Sequence, residues 1–171
     1  MSLATMEVSY MKGLMDKPEE FTTLASFYLY KKNPAMSAKV LEKAITNEDI
    51  DFDNTNAKLL ADSWLFAKER LKSLNVIGSS LNNDPEDAKL IKQYINIAFS
   101  AFEWDEVIKG VNKAYEAGLK DDGKFALMKG IAYFEKNSIV NAKNSFIQAS
   151  NSKEYKDQGI AWLEYLEALN G

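Results

Sequence analysis

Residues 130–149 read GIAYFEKNSIVNAKNSFIQA, and the spacing of small and aromatic residues in this stretch decides the fold. Gly130, Tyr133, Ala142, Phe146 and Ala149 stand at relative places 0, 3, 12, 16 and 19. The spacing returns every 34 to 36 residues, as Ala25, Tyr28, Ser37, Leu41 and Ala44, as Ala61, Trp64, Ser73, Ile77 and Ser80, and more weakly as Ile95, Ala98, Val107, Val111 and Ala114. A repeat of this length indicates a stacked array, because one unit cannot bury its apolar face alone.

The apolar residues between these places follow a helical period of 3.6 nearly throughout the chain. Strand-like alternation is absent, and the links between apolar segments are short. Helix starts and stops predict helices near 4–15, 19–32, 35–46, 54–70, 72–82, 86–102, 104–117, 122–136, 139–150 and 153–169. The predicted fold is all-α, a right-handed solenoid of antiparallel helix hairpins with a C-terminal capping helix.

The repeated places have a packing reason. Small residues at the first and third places let the two helices of a hairpin approach closely, and the aromatic residue between them fills the wedge. The third copy departs from this pattern, because the bulky Ile95 and Val107 occupy both small places. We therefore expect the third hairpin to be splayed or shifted.

The first segment mirrors a later one at a distance of three periods. Residues 9–16 read SYMKGLMD and residues 114–121 read AYEAGLKD, an offset of 105 residues. Gly13 and Gly118 would each supply the left-handed residue that ends a helix. Residues 4–15 are thus predicted to be the second helix of a repeat whose first helix is missing, and the chain is expected to be the C-terminal piece of a longer array.

Composition excludes several classes of function. The 171 residues contain no cysteine and no histidine, which removes disulfides, thiolate zinc sites, cysteine nucleophiles and histidine acid–base pairs. A net charge of −4 and a single arginine, Arg70, argue against nucleic-acid binding. No apolar run reaches the roughly 18–20 residues of a membrane span, so no direct membrane insertion is expected. Met1-Ser2-Leu3 resembles a short expression scar.

Acidic clusters offer candidate sites that have a simpler explanation. The run Asp49-Ile50-Asp51-Phe52-Asp53 alternates carboxylates as a calcium loop does, but Asn54 and Leu60 stand where that loop needs glycine and glutamate. The favoured interpretation is a helix cap from Asp53 or Asn54. The other acidic groups are also assigned to helix starts, and they are Asp84, Glu86, Asp87, Glu103, Asp105, Glu106, Asp121 and Asp122.

No arrangement of residues predicts catalysis. Nothing places a nucleophile beside a base, and no glycine-rich phosphate loop is present. The chain is therefore predicted not to be an enzyme, and no cofactor or metal is predicted.

The repeat pattern resembles the tetratricopeptide repeat (TPR) family. The resemblance covers a single array over 4–171, with a partial repeat at 4–17, repeats at 18–51, 54–87, 88–121 and 123–156, and a cap helix at 153–169. It implies that the first helices line a concave groove that binds a peptide or protein. The implied groove residues are Leu29, Lys58, Asp62, Leu65, Lys92, Asn96, Phe99, Leu127 and Phe134.

Two further features bear on this groove. Lys92 and Asn96 match part of the clamp by which some family members hold a terminal carboxylate, whereas Met128 stands where a third donor would be wanted. The alternative is that they are two exposed polar residues on a helix. Phe102 and Trp104 are candidate partner anchors, or else core residues at the hairpin turn.

A narrower resemblance concerns the segments DSW at 62–64, GIAYF at 130–134 and WLEYL at 162–166. These are similar to the C-terminal part of bacterial TPR proteins associated with the TonB–ExbB–ExbD system, which implies a periplasmic adaptor whose partner is a component of that system. The alternatives are a cytoplasmic scaffold or chaperone-like module, a regulatory part of a longer chain with an upstream catalytic domain, and self-association.

Overall fold

The computed structural model describes residues 3–169, so Met1 and Ser2 of the expected scar lie outside the described residues. Within 3–169 the chain forms helices only, in the predicted order. They are α1 (Leu3–Met11), α2 (Pro18–Tyr30), α3 (Pro34–Thr46), α4 (Asn54–Phe66), α5 (Arg70–Asn83), α6 (Ala88–Ser100), α7 (Trp104–Glu116), α8 (Lys124–Glu135), α9 (Ile139–Ser150) and α10 (Lys156–Leu169).

The helices fall into two compact units, one ending at Asp84 and the other beginning at Pro85. In the first unit, which we call the N-unit, α1 packs on α2 and each later helix up to α5 packs on its predecessor. In the second, the C-unit, α6 to α10 pack consecutively in the same way. Each unit is therefore a stack of helix hairpins, which confirms the predicted all-α solenoid class. That all repeats form a single array stays a prediction.

The helix starts explain several of the acidic residues. The Asp53 carboxylate accepts hydrogen bonds from the backbone N–H groups of Thr55 and Asn56, at 2.9 and 2.8 Å. The Asp87 carboxylate does the same for Lys89 and Leu90 at the start of α6. Both predicted caps are confirmed. Asp84 instead follows α5 and accepts from the Asn54 side chain at 3.1 Å, which the sequence reasoning missed.

Each hairpin turn contains one residue in the left-handed region. At these turns φ lies between 56° and 65°, and the residues are Lys32, Lys68, Phe102 and Asn137. Gly13 and Gly118, at φ 65° and 69°, follow the ends of α1 and α7, so the predicted left-handed glycines are confirmed. Leu14 donates its backbone N–H to Ser9 and Leu119 donates to Ala114, so the two mirrored segments close in the same way.

In two hairpins, serine occupies a position of the repeat signature that requires a small residue. The hydroxyl group of each of these serines is hydrogen-bonded. Ser37 and Ser63 are both buried and their Oγ atoms lie 2.9 Å apart, between α3 and α4. The buried Ser73 donates from Oγ to the carbonyl of Ala61 at 2.8 Å, between the two helices of a hairpin. Serine fits a close helix crossing here because its only polar group finds an acceptor.

The third hairpin, which was expected to be splayed or shifted, is not splayed. Ile95 and Val107 are both fully buried, between α6 and α7. The reason is Gly110 on α7, where an added Cβ would lie 2.8 Å from Cγ1 of Ile95 and 3.1 Å from Tyr94. The missing side chain at Gly110 thus supplies the space that the bulky residues need, one turn away from the place where the repeat pattern predicts it.

A carboxylate organises the start of α8. The Asp121 side chain accepts hydrogen bonds from the backbone N–H groups of Gly123, Phe125 and Ala126 at 2.9 to 3.0 Å. It also accepts from the Tyr115 hydroxyl at 2.7 Å. The predicted helix-start role of Asp121 is confirmed, and the residue additionally ties α7 to α8.

Burial, followed by the hydrogen bond to Asp121 and its charge, raises the pKa of Tyr115 above its ordinary value. A group whose folded pKa is raised contributes stability that is complete below its unfolded pKa, about 10 for tyrosine, and lost as the pH rises through the folded value. The free energy of unfolding should therefore fall less steeply above about pH 10 in Tyr115→Phe than in the wild type. Urea unfolding across this range measures the slopes, and equal slopes would contradict the assignment.

The last hairpin is closed by Ala149, which is fully buried on α9. Ala149→Leu adds atoms to a packed crossing, and we expect it to lower the free energy of unfolding by about 1–3 kcal/mol. The matched control is Asn144→Leu on the exposed side of the same helix. Unchanged thermal unfolding of Ala149→Leu would contradict the repeat register in this hairpin.

Candidate functional site

The candidate site is the set of groove places on the first helices of the hairpins. Lys92 and Asn96 are exposed, and the other predicted groove residues are half-buried.

In the N-unit, Leu29 borders a cavity at the end of the α2–α3 hairpin. The cavity measures about 340 Å³, is open to solvent and is bordered by Leu29, Lys32, Pro34 and Phe66. Phe66 is the last residue of α4 and remains 67% exposed. An exposed aromatic ring beside an open apolar cavity is a common feature of protein-binding surfaces.

The remaining predicted places of the N-unit lie on α4. Lys58 and Asp62 are one helical turn apart, and each already interacts with another group of the protein. Leu65 follows them and is half-buried. On α4, the apolar Leu65 therefore lies near two polar residues, Lys58 and Asp62, that interact within the protein. Such a combination can orient a bound segment.

In the C-unit, the predicted polar groove residues meet a residue that the sequence reasoning missed. Lys124, the first residue of α8, donates from Nζ to Oδ1 of Asn96 at 3.0 Å. Asn96 is thus oriented by a lysine of the next hairpin, while Lys92 lies one turn before it on α6. Met128 is buried, so no donor stands at the third clamp place. Lys92 and Lys124 contribute two ammonium groups here, and Asn96 contributes one amide. These groups can hydrogen-bond to a carboxylate or to a backbone amide.

Aromatic rings lie at the α6–α7 turn, next to the predicted groove residue Phe99. The Trp104 ring meets Phe99 and Phe102 edge-on, with centroids 5.7 and 5.6 Å apart. Phe102 is 70% exposed and has φ 61°, a backbone region that disfavours bulky side chains. An exposed aromatic residue therefore occupies a turn position where glycine or asparagine would cause less backbone strain. Strained residues of this kind cluster at functional sites.

The last groove residue, Phe134, lies in an aromatic cluster. Phe134, Ala161, Trp162 and Tyr165 border a second cavity of about 300 Å³. The Trp162 ring is fixed by stacking on Phe146, with centroids 5.0 Å apart. Leu127, like Phe134, packs against the core of α9 and α10 that contains Phe146, and its part in binding stays a prediction.

The residues that sequence reasoning missed are Lys32, Pro34, Phe66, Lys124, Trp162 and Tyr165. One signal was present, since Tyr30 and Phe66 each end the first helix of a hairpin and stand 36 residues apart. The meeting of Lys124 with Asn96 had no sequence signal, because it depends on how α8 sits beside α6.

Among residues 3–169, no three metal-ligating side chains lie close enough together to hold an ion, and none of the helices could span a lipid bilayer. Burial lowers the pKa of Lys129, whose Nζ donates to Oδ1 of Asn112 at 2.6 Å and lies near two tyrosine rings. Lys129 is thus held in a structural contact.

Stacked helix hairpins with small residues at their crossings define a TPR-like fold. No family model matches the chain, and no curated protein sequence matches it. Solved structures show the likeness. A crystal structure of MamA has a TM-score of 0.64 at 16% identity, with 91% of this chain and 89% of that chain covered.

Two more structures agree. MamA residues 41 to the end from Desulfovibrio magneticus RS-1 gives a TM-score of 0.68 at 11% identity, covering 91% of this chain and 86% of that one. The C-terminal part of a TPR repeat-containing protein from Cytophaga hutchinsonii gives 0.65 at 13% identity, covering 97% of this chain and 64% of that one. At these identities the likeness shows the fold, and it gives no support to the predicted association with the TonB system.

Proposed function

We propose that the chain is a non-catalytic scaffold that binds a peptide or protein segment along the first helices of its hairpins. The observation that carries the proposal is the set of apolar side chains left open to solvent at these places in both units. The N-unit holds the cavity between Leu29 and Phe66, and the C-unit holds the rings of Phe102 and Tyr165 beside the groove. Aromatic residues in such settings dominate binding energies.

The polar places complement these anchors. Lys92, Asn96 and Lys124 can bind carboxylate or carbonyl oxygens of a bound segment, and the cavities can take its apolar side chains. The TPR-like fold supports this proposal, because stacked hairpins present extended binding surfaces.

The first test combines Lys92→Glu with Phe99→Ala. Lys92 is exposed and Phe99 is half-buried, so we expect folding to be nearly intact, with a loss of about 1 kcal/mol from the ring contact with Trp104. Binding of a partner should weaken at least tenfold, since the variant loses an anchor and reverses a charge. Isothermal titration with a partner segment measures the affinity. Wild-type affinity in a folded variant would contradict the use of this face.

The periplasmic location and the link to a TonB–ExbB–ExbD system belong to this proposal as its narrower form. They rest on the resemblance of the segments around Trp64, Tyr133 and Trp162. Fractionation of cells that produce the full protein tests the location, and recovery of the protein with cytoplasmic markers would contradict it.

A further inference from the structure

The cavity between Leu29 and Phe66 lies at a basic end of the N-unit. The α2–α3 turn contributes Lys31 and Lys32, and residues 67–72, which lead into α5, read AKERLK. Together these two segments hold five basic residues and one acidic residue in a chain whose net charge is −4. Lys32 itself borders the cavity.

The opposite end of the same helices carries the opposite charge. The α3–α4 connection contains Glu48, Asp49, Asp51 and Asp53, and it lies at the far end of α3 from Lys32. Because α2, α3 and α4 run antiparallel, the hairpin turns gather at one end and this acidic connection lies at the other. The N-unit is therefore electrostatically polarised along its helices, and its basic end attracts negative charge.

The cavity determines what kind of negatively charged partner fits. Its volume of about 340 Å³ is at the small end of the range for ligand sites, roughly 300–1,000 Å³, and suits a single large side chain. Leu29, Pro34 and Phe66 offer that side chain an apolar lining, and Lys32 stands at the edge to meet a carboxylate. A bilayer surface offers anions but no side chain that would fill a cavity.

We propose that the basic end of the N-unit binds an acidic segment of a different protein, which inserts one aromatic or leucine side chain between Leu29, Pro34 and Phe66. Lys31, Lys32 and Lys68 lie in the turns where the carboxylates of that segment would flank the anchor. This inference rests on the proposed function and specifies the chemistry of the partner at one end of the groove. The charges should mainly set the association rate and its dependence on salt, and the anchor should set the dissociation rate.

The test is a selection from a random peptide-display library on the immobilised full chain. The expected peptides carry one phenylalanine, tryptophan or leucine flanked by aspartates and glutamates. The tightest of them is then synthesised and titrated against variants. We expect Phe66→Ser and the double variant Lys31→Glu with Lys32→Glu each to weaken its binding at least tenfold, and the charge effect to shrink as salt is added.

Matched controls come from the C-unit. Val140→Ser removes an apolar side chain that is 75% exposed, and Lys143→Glu with Lys153→Glu changes the net charge by the same amount at exposed positions. Both controls should bind the peptide as the wild type does. Phe66 is largely exposed, so its variant should fold, and the charge variants test the proposal independently of it.

The other outcomes separate the inference from the proposed function. Selected peptides without acidic residues, or peptides bound equally by Phe66→Ser, would overturn the inference. If their binding depended on Lys92 and Phe99, the proposed function would stand. A selection that enriches no peptide would overturn both.

Two more measurements complete the test. Binding of phosphatidylserine vesicles that depends on Lys31 and Lys32, without binding of acidic peptides, would assign the basic end to a membrane and overturn the inference. A concentration-dependent mass in light scattering that disappears in Lys31→Glu with Lys32→Glu would assign it to the acidic loops of a second copy, with the same consequence.

Discussion

Replacing Gly159 by alanine should lower the free energy of unfolding of the C-unit by about 2 kcal/mol, because the added Cβ would meet backbone atoms. Gly159 lies on α10 where this helix crosses α9. Its Cβ would stand 2.5 Å from the backbone nitrogen of Ser150, 2.8 Å from its Cα and 2.9 Å from the carbonyl oxygen of Phe146. Over-packing costs about 1–3 kcal/mol or more, and the gain in helix propensity of about 1 kcal/mol offsets part of it.

The matched control is Gly110→Ala on α7. Its Cβ would also be crowded, but by the side chains of Ile95 and Tyr94, and a side chain can shift more easily than a backbone. We therefore expect a smaller net loss there than in Gly159→Ala. Thermal or urea unfolding of both variants measures the difference. A Gly159→Ala variant as stable as the wild type would contradict the close crossing of α9 and α10.

Asp121→Ala should destabilise the C-unit by about 2–4 kcal/mol, since three backbone donors and a tyrosine hydroxyl lose one acceptor. The carboxylate accepts from Gly123, Phe125 and Ala126 at the start of α8, and from Tyr115 on α7. Its removal leaves these partly buried groups without that acceptor.

Asp122→Ala is the control for this prediction. The neighbouring Asp122 is exposed and accepts from the backbone N–H of Lys124 at 3.0 Å, so its loss should cost under about 1 kcal/mol. Urea unfolding followed by circular dichroism compares the two. Equal effects of the two substitutions would show that the contacts of Asp121 with Tyr115 and α8 contribute little.

The helices were predictable because their signals are local. The apolar period places all ten, Gly13 and Gly118 mark two helix ends, and Asp53 and Asp121 mark two starts. Each of these signals lies within a few residues of the feature that it specifies.

The errors arise where distant residues compensate each other. The bulky Ile95 predicted a splayed hairpin, but Gly110, fifteen places further along the chain, provides the room. Most left-handed turn residues were also invisible, because lysine and phenylalanine occupy places that usually favour glycine.

The candidate site was predictable only in part. The groove places followed from the family resemblance, and the structure leaves Lys92 and Asn96 exposed and Phe99 beside other rings. The cavity between Leu29 and Phe66 joins residues 37 places apart in different hairpins, so it depends on how the hairpins stack. Single-sequence patterns carry no information on that distance.

The most direct test of the central claim uses a photo-crosslinking residue at Phe99, on the groove side of α6, in cells that produce the full protein. The control carries the same residue at Val140, which is 75% exposed on a second helix. We expect one dominant protein adduct from position 99 and none above background from position 140. Adducts from position 140 alone, or equal adducts from both, would contradict a scaffold that binds its partner along the first helices.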